Sequence, residues 1–204
     1  MVNIVTYPYS QYTDAATYLA AGIDALGCFD SVTESSGIIT CTKDGSTVAT
    51  VTLTGGGRID VVFGNYTTTA NSGMAYWIGL TPNGVFIDGK AANDIFTYSI
   101  YKSKTGDPMF TYHATWGNII GNVNVALDTI SPTVSSNPTI QSSLYYTVAT
   151  ALCAAPGSET SVSISDKAYC ITTRQSNILT TSIQLVSIGG VEYMTDGYLL
   201  IETQ

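Results

Sequence analysis

Gly37-Ile38-Ile39-Thr40-Cys41-Thr42-Lys43-Asp44-Gly45-Ser46-Thr47-Val48-Ala49-Thr50-Val51-Thr52-Leu53 is the stretch that decides the fold class. Two β-rich runs flank Lys43-Asp44-Gly45. Asp-Gly is a dipeptide of tight hairpin turns, whose central residues take positive φ. In the second run Val48, Thr50 and Thr52 alternate with Ala49, Val51 and Leu53, giving one polar and one apolar face. The spacing predicts a half-buried antiparallel hairpin.

Upstream the period changes. Ala15, Tyr18, Leu19, Gly22, Ile23 and Leu26 recur at the spacing of one helical face. Thr13 or Asp14 is expected to cap this helix and Gly27 to end it. Its small residues, Ala15, Ala16, Ala20, Ala21 and Gly22, allow a close approach to a sheet. Downstream, Ile59 to Phe63, Met74 to Leu80 and Val85 to Ile87 read as strands, the last two joined through the Asn-Gly of Thr81-Pro82-Asn83-Gly84. Phe96 to Tyr101 and Met109 to His113 bracket the turn Thr105-Gly106-Asp107-Pro108.

From about Trp116 the texture loosens, and Asp128 to Ser143 is rich in Ser, Thr, Pro and Asn, which favours a loop or linker over a packed element. Short strands are expected beyond it, at Leu144 to Leu152, Ala168 to Thr173, Ile183 to Ile188 and Tyr198 to Ile201. The expected fold class is α+β, mainly β: one N-terminal amphipathic helix packed on antiparallel hairpins, followed by a smaller C-terminal β-sheet region. A boundary is expected between a helix plus antiparallel β-meander domain, 1–116, and a loop-rich β domain ending in a C-terminal hairpin, 117–204.

Composition narrows the function. The 204 residues carry a formal charge of −8, with 11% charged and 45% hydrophobic residues, fourteen tyrosines and one histidine. A mean hydropathy of +0.20 on so lightly charged a chain implies a large core or an apolar surface that meets another subunit. Seven Lys and Arg against fifteen Asp and Glu argue against a nucleic-acid partner, and the same balance repels an anionic membrane. The apolar stretches at Tyr18 to Leu26 and Leu199 to Ile201 fall far short of the roughly 20 residues that span a bilayer. The N-terminus lacks the basic and apolar regions of a secretory signal.

Chemical motifs are scarce. No G-x-S-x-G, H-E-x-x-H, Walker loop or helix-opening G-x-G-x-x-G is present. His113, at the end of an apparent strand, reads as a structural or surface histidine. Gly55-Gly56-Gly57-Arg58 lies between strands and reads as a turn or bulge. Asp88 with Asp94, or Asp24 with Asp30, would serve a glycosidase only at the right separation in space. Cys28, Cys41, Cys153 and Cys170 show no zinc-site spacing; they read as buried thiols, or Cys153 and Cys170 bridge a hairpin in an oxidising compartment. No catalytic residue, cofactor or metal ligand is assigned. The aromatics are the better candidates: Tyr7, Tyr9 and Tyr12 are expected either at an interface or simply covering the helix, and one member each of Tyr76-Trp77 and Tyr145-Tyr146 in the core.

The tail Ser187-Ile188-Gly189-Gly190-Val191-Glu192-Tyr193-Met194-Thr195-Asp196-Gly197-Tyr198-Leu199-Leu200-Ile201-Glu202 resembles the C-terminal hairpin of small structural proteins of tailed bacteriophages and prophages of gut Firmicutes. There a GG-x-x-Y-x-x-x-G-x-hydrophobic ending closes the chain. The early helix, the Thr- and Ser-rich hairpins and the scarcity of His are similar too. The resemblance implies a non-enzymatic virion component of the tail, baseplate or capsid surface, made in the bacterial host cytoplasm, with free cysteines. It would act by assembling with itself and other virion proteins, without nucleic acid or membrane as partner. The alternatives are a host-receptor or glycan-binding module, with a host-surface glycan as partner, and a carboxylate-dependent hydrolase.

Overall fold

Two-residue turns build the first sheet. In the computed structural model Asp44 (φ 52°) and Gly45 (φ 73°) both take the left-handed conformation, the type I′ geometry that the Asp-Gly signal demands. Ser36 (φ 53°) and Gly37 (φ 86°) repeat it one hairpin earlier. A Cβ on Gly37 would also meet the Leu53 carbonyl at 2.6 Å, so position 37 needs glycine twice over.

The structure describes residues 2–71, 75–91, 94–103, 105–116, 119–126, 133–136, 148–149, 168–171, 183–188, 190–196 and 199–204. The elements are β1 (Asn3–Pro8), α1 (Tyr12–Ala25), β2 (Ser31–Ser35), β3 (Ile38–Lys43), β4 (Ser46–Leu53), β5 (Arg58–Phe63) and β6 (Tyr66–Asn71). They continue with β7 (Ala75–Leu80), β8 (Gly84–Ala91), β9 (Asp94–Lys102), β10 (Pro108–Trp116), β11 (Ile119–Ala126) and β12 (Thr133–Ser136). The chain ends with β13 (Val148–Ala149), β14 (Ala168–Ile171), β15 (Gln184–Ile188), β16 (Val191–Thr195) and β17 (Leu199–Glu202). The fold class is as expected, α+β and mainly β.

Strands β2 to β6 form a five-stranded antiparallel meander, and a seven-stranded sheet runs β1-β7-β8-β9-β10-β11-β12. The C-terminal sheet runs β13-β14-β17-β16-β15. Helix α1 lies between the first two sheets: Ala15, Leu19 and Ile23 share a core with Ile39, Val51, Val61 and Phe63 of the meander and Ile78, Ile87 and Phe110 of the seven-stranded sheet. The opposite face of that sheet contributes Phe86, Tyr101 and Met109 to a second core with Ile183, Met194, Leu199 and Ile201. The seven-stranded sheet is therefore the middle layer, which explains the unbroken apolar run Val85-Phe86-Ile87: successive side chains enter different cores.

Helix α1 corrects the expected cap. It begins at Tyr12, with Gln11 at the N-cap and no side-chain capping bond. A 3-10 turn over Tyr9–Gln11 feeds it, and the Tyr12 N–H donates to the Tyr9 carbonyl, so backbone replaces the side chain of Thr13 or Asp14. Asp14 sits in the first turn, where its charge suits the helix dipole. Gly27 follows the helix with φ 63°, as expected.

The β7–β8 hairpin occurs where expected but by different chemistry. Gly84 does not take a positive φ; the Thr81 hydroxyl accepts from the Gly84 N–H at 2.9 Å and closes the turn. Position 84 is glycine because a Cβ would meet Tyr101 Cβ at 2.9 Å and the Ile100 carbonyl at 3.2 Å. The boundary expected at 116/117 falls between β10 and β11, which pair from Met109↔Ala126 to Trp116↔Ile119 within one sheet; within the stretch expected as a loop or linker, Thr133–Ser136 instead forms β12, paired with β11 from Gly121↔Ser136 to Asn124↔Thr133. The C-terminal hairpin is present, with Met194↔Ile201 in register; Gly197 and Tyr198 lie outside the described residues.

Candidate functional site

The alternation that makes the meander amphipathic leaves a continuous outer face. One register row across it runs Thr33, Thr40, Thr50, Val62, Thr67, and the next runs Ser35, Ile38, Thr52, Asp60, Thr69. The same strands turn Ile39, Cys41, Ala49, Val51, Ile59, Val61 and Phe63 into the core, which fixes the register, because a one-residue slip would exchange the faces. Nothing covers the outer face among the described residues: Ile38 is 46% and Val62 38% exposed. Its charges cancel. Arg58 Nε donates to Asp60 Oδ2 at 2.7 Å, and the Thr69 hydroxyl donates to Asp60 Oδ1 at 2.5 Å. Ser31 and Thr42 share a hydroxyl–hydroxyl bond of 2.7 Å at one margin. The result is a sheet face of hydroxyls and two exposed aliphatics, with no net charge, on a chain of formal charge −8.

Tyr7, Tyr9 and Tyr12, the expected interface residues, are half-buried and pack on the helix-side core. Each has its own neighbour. Tyr7 tilts against Tyr18 with ring centroids 5.8 Å apart, and Tyr9 meets Tyr76 edge-on at 5.4 Å. Tyr12 lies against Gly37 and over Gly55. Tyr76 is fully buried, and its hydroxyl donates to the Thr54 carbonyl at 2.5 Å. Trp77 packs on the other side, against the C-terminal core, so both members of that doublet are used. Tyr145 and Tyr146 lie outside the described residues.

The seven-stranded sheet brings together groups that sequence reasoning kept apart. Asp88 pairs with Thr97, and Thr97 with His113, so the three occupy one row across β8, β9 and β10. Asp88 is 1% and Thr97 2% exposed. Cα atoms two strands apart are separated by about 10 Å. Asp94, earlier matched with Asp88, lies opposite Ala91 at the far end of the hairpin. Asp24 and Asp30 are both exposed, and Asp30 Oδ2 accepts from the Asp44 N–H at 2.6 Å. Gly55-Gly56-Gly57 forms the β4–β5 turn, closed by Gly57 N–H to the Thr54 carbonyl at 3.0 Å.

No family model, curated protein or solved structure matches the chain.

Cys28 and Cys41 are free and buried. Burial pushes the thiols up to about 11 and about 12, away from the thiolate that metal binding or nucleophilic attack requires. Cys153 lies outside the described residues, and with it the Cys153–Cys170 pairing; the backbone of Cys170 is in β14, opposite Ala149 and Leu199. No group of three or more His, Cys, Asp or Glu converges on a metal-sized site among the described residues. No helix among them is long and apolar enough to cross a membrane.

Proposed function

We propose that this chain is a non-enzymatic structural protein that works by assembling with itself and with other proteins of a tailed-bacteriophage virion. The supporting observation is the outer face of the meander. Surfaces built for solubility carry about 25–35% Lys, Arg, Glu and Asp. This face carries hydroxyls, Ile38, Val62 and one internally neutralised ion pair. Burying such a face against a neighbour strips water from methyl groups without stranding a charge. The tail resemblance supplies the virion context, and the tail's hairpin is anchored as a structural element.

Mass in solution, measured by light scattering over a wide concentration range, tests the reading. The expected result is a weight-average mass that rises above the 21.5 kDa of the monomer. Association is expected to strengthen with added salt, because salt screens the repulsion between copies of formal charge −8. A strictly monomeric chain at every concentration would overturn it.

A further inference from the structure

We propose that Asn83-Gly84, the chain's single Asn-Gly pair, is a latent deamidation site that residues 202–204 hold unreactive, and that its reaction detaches the C-terminal hairpin. An asparagine before glycine is prone to this chemistry, because glycine sets no side chain in the way of its own nitrogen and its backbone turns freely. The Gly84 nitrogen gives its proton to water and attacks Asn83 Cγ. The new C–N bond forms as the bond from Cγ to Nδ2 breaks, and the departing nitrogen takes a proton from water and leaves as ammonia. Water then opens the cyclic imide at either carbonyl, giving aspartate or isoaspartate at position 83. Water is the sole co-reactant, and nothing is oxidised or reduced.

The fold restrains both reacting groups. Asn83 Nδ2 donates to two main-chain oxygens of the tail, Glu202 at 2.8 Å and Gln204 at 3.0 Å. The attacking Gly84 N–H donates to Thr81 Oγ1 at 2.9 Å, and the Asn83 N–H donates to the same oxygen at 3.1 Å. The Asn83 carbonyl accepts from the Lys102 N–H at 3.3 Å, and the Gly84 carbonyl from the Thr81 N–H at 2.9 Å. Gly84 is buried with Ile201 and Tyr101 crowded against it, so its peptide turns toward Asn83 Cγ only if the hairpin moves. The tail is tied in turn to β16, where the Thr203 N–H donates to the Glu192 carbonyl at 3.0 Å. Asn83 is thus the polar bridge from the β7–β8 turn to the C-terminal sheet. An aspartate there has no hydrogens to give and sets a carboxylate against two carbonyl oxygens. An isoaspartate also adds a methylene to the backbone of the turn that Thr81 closes. Either product keeps the tail from docking again, so one opening event becomes permanent.

Peptide mass mapping of Asn83 over time at mildly alkaline pH tests the site. In the folded chain Asn83 should deamidate at least about tenfold more slowly than in the urea-unfolded chain, because reaction waits on local opening. The rate should start to climb at urea concentrations below the circular-dichroism transition, since residues 202–204 lift off before the sheets melt. Deleting Thr203 and Gln204 removes one of the two acceptors and the tether to Glu192, and should raise the rate in a chain whose circular dichroism is unchanged. If the deletion does not fold, the wild-type urea series decides. Asn83→Asp, which stands for the product, should speed hydrogen exchange in β16 and β17 roughly tenfold while β3 and β4 keep their protection. Equal rates in folded and unfolded chains would overturn the proposal. So would a rate that rises only with global unfolding or ignores the deletion, because the tail would then not guard the site. Wild-type exchange in Asn83→Asp would show that the modification does not detach the hairpin.

Discussion

The five-stranded meander and the seven-stranded sheet are both antiparallel, yet they differ in what lies on their two faces. The meander has one dry face and one wet face, so Ala49, Val51 and Leu53 alternate with Thr50 and Thr52 along a single strand. The seven-stranded sheet has a core on each side, so β8 carries Val85, Phe86 and Ile87 in succession, all at 3% exposure or less. Alternation therefore marks a sheet with a free face, and its loss marks a sheet packed between layers. The meander's outer face, uncovered among the described residues, is also the one proposed to bind a partner.

The largest break in the comparison comes from uncovering the second face of the seven-stranded sheet. Deleting residues 190–204 removes β16 and β17, and with them Met194, Leu199 and Ile201, all fully buried. Phe86 and Tyr101 would be left facing water, and the truncated chain is expected to aggregate. The point variant Ile201→Ala should cost about 2–5 kcal/mol. Solubility and thermal melts check both. A soluble truncation with an unchanged melting temperature would show that the hairpin is an appendage and the sheet does not need its second cover.

A neighbouring pair on β4 sharpens the contrast within one sheet. Val51 is 2% exposed in the helix-side core, and Thr50 lies one residue away on the outer face. Val51→Asp places a carboxylate in that core without a counter-charge and is expected to unfold the chain, a loss above about 4 kcal/mol. Thr50→Lys should change stability by less than about 0.5 kcal/mol. Urea titrations of the two variants decide whether the faces differ as the register requires.

How far each region was legible follows from the same contrast. Helix α1 and the β3–β4 hairpin carry their signals locally, in the spacing of Leu19 and Ile23 and in Asp44-Gly45. The edge strands do not. Ser31–Ser35 and Tyr66–Asn71 are mostly polar, and Asn3–Pro8 pairs with Leu80 through Ala75, far along the chain. Their strand character comes from the neighbour they pair with rather than from a period of their own. The Asp88, Thr97, His113 row is invisible for a related reason, because register between distant strands is set by tertiary pairing. The outer face was half legible: Thr50 and Thr52 read as polar, while the exposed Ile38 and Val62 flanking them became visible only once β3, β4 and β5 were in register.

The buried thiols predict a pH-dependent effect on the meander side. Cys28 and Cys41 rise from 9.0 to about 11 and about 12, chiefly through burial. Above pH 9 the unfolded chain loses these protons while the folded chain keeps them, so stability falls as pH rises. Each thiol contributes about 1.4 kcal/mol per pH unit over its window, which ends near pH 11 for Cys28 and pH 12 for Cys41. Tyr98 and Tyr112 are also raised by burial and extend the loss above pH 10. Alkaline denaturation of Cys41→Ala should show a flatter slope between pH 9 and 11 than wild type. An equal slope would mean that this thiol does not control the alkaline limb.

The smallest expected effect concerns the link between the two regions. Lys43, at the end of β3, meets Asp107, before β10, with Nζ 2.6 Å from Oδ1 and side chains 24% and 56% exposed. The hydrogen bond to Lys43 lowers the Asp107 carboxyl, and the bond to Thr105 lowers it further; Asp107 in turn raises Lys43. The pair's contribution is present above the unfolded carboxylate range and is lost as pH falls through Asp107's lowered value. On the alkaline side it is lost as Lys43 deprotonates. Solvent screens a pair this exposed, so Asp107→Asn should cost less than about 0.5 kcal/mol at neutral pH, and that difference should shrink further in high salt. The two sheets are held instead by α1 and the aromatic stack, in which Phe110 lies 5.4 Å from Phe63 and 5.9 Å from Tyr98. Phe110→Ala measured beside Asp107→Asn makes the test quantitative, since loss of that ring should cost about 3–5 kcal/mol. If Asp107→Asn matched or exceeded Phe110→Ala, the regions would be joined by charge at their tips rather than by the core between them.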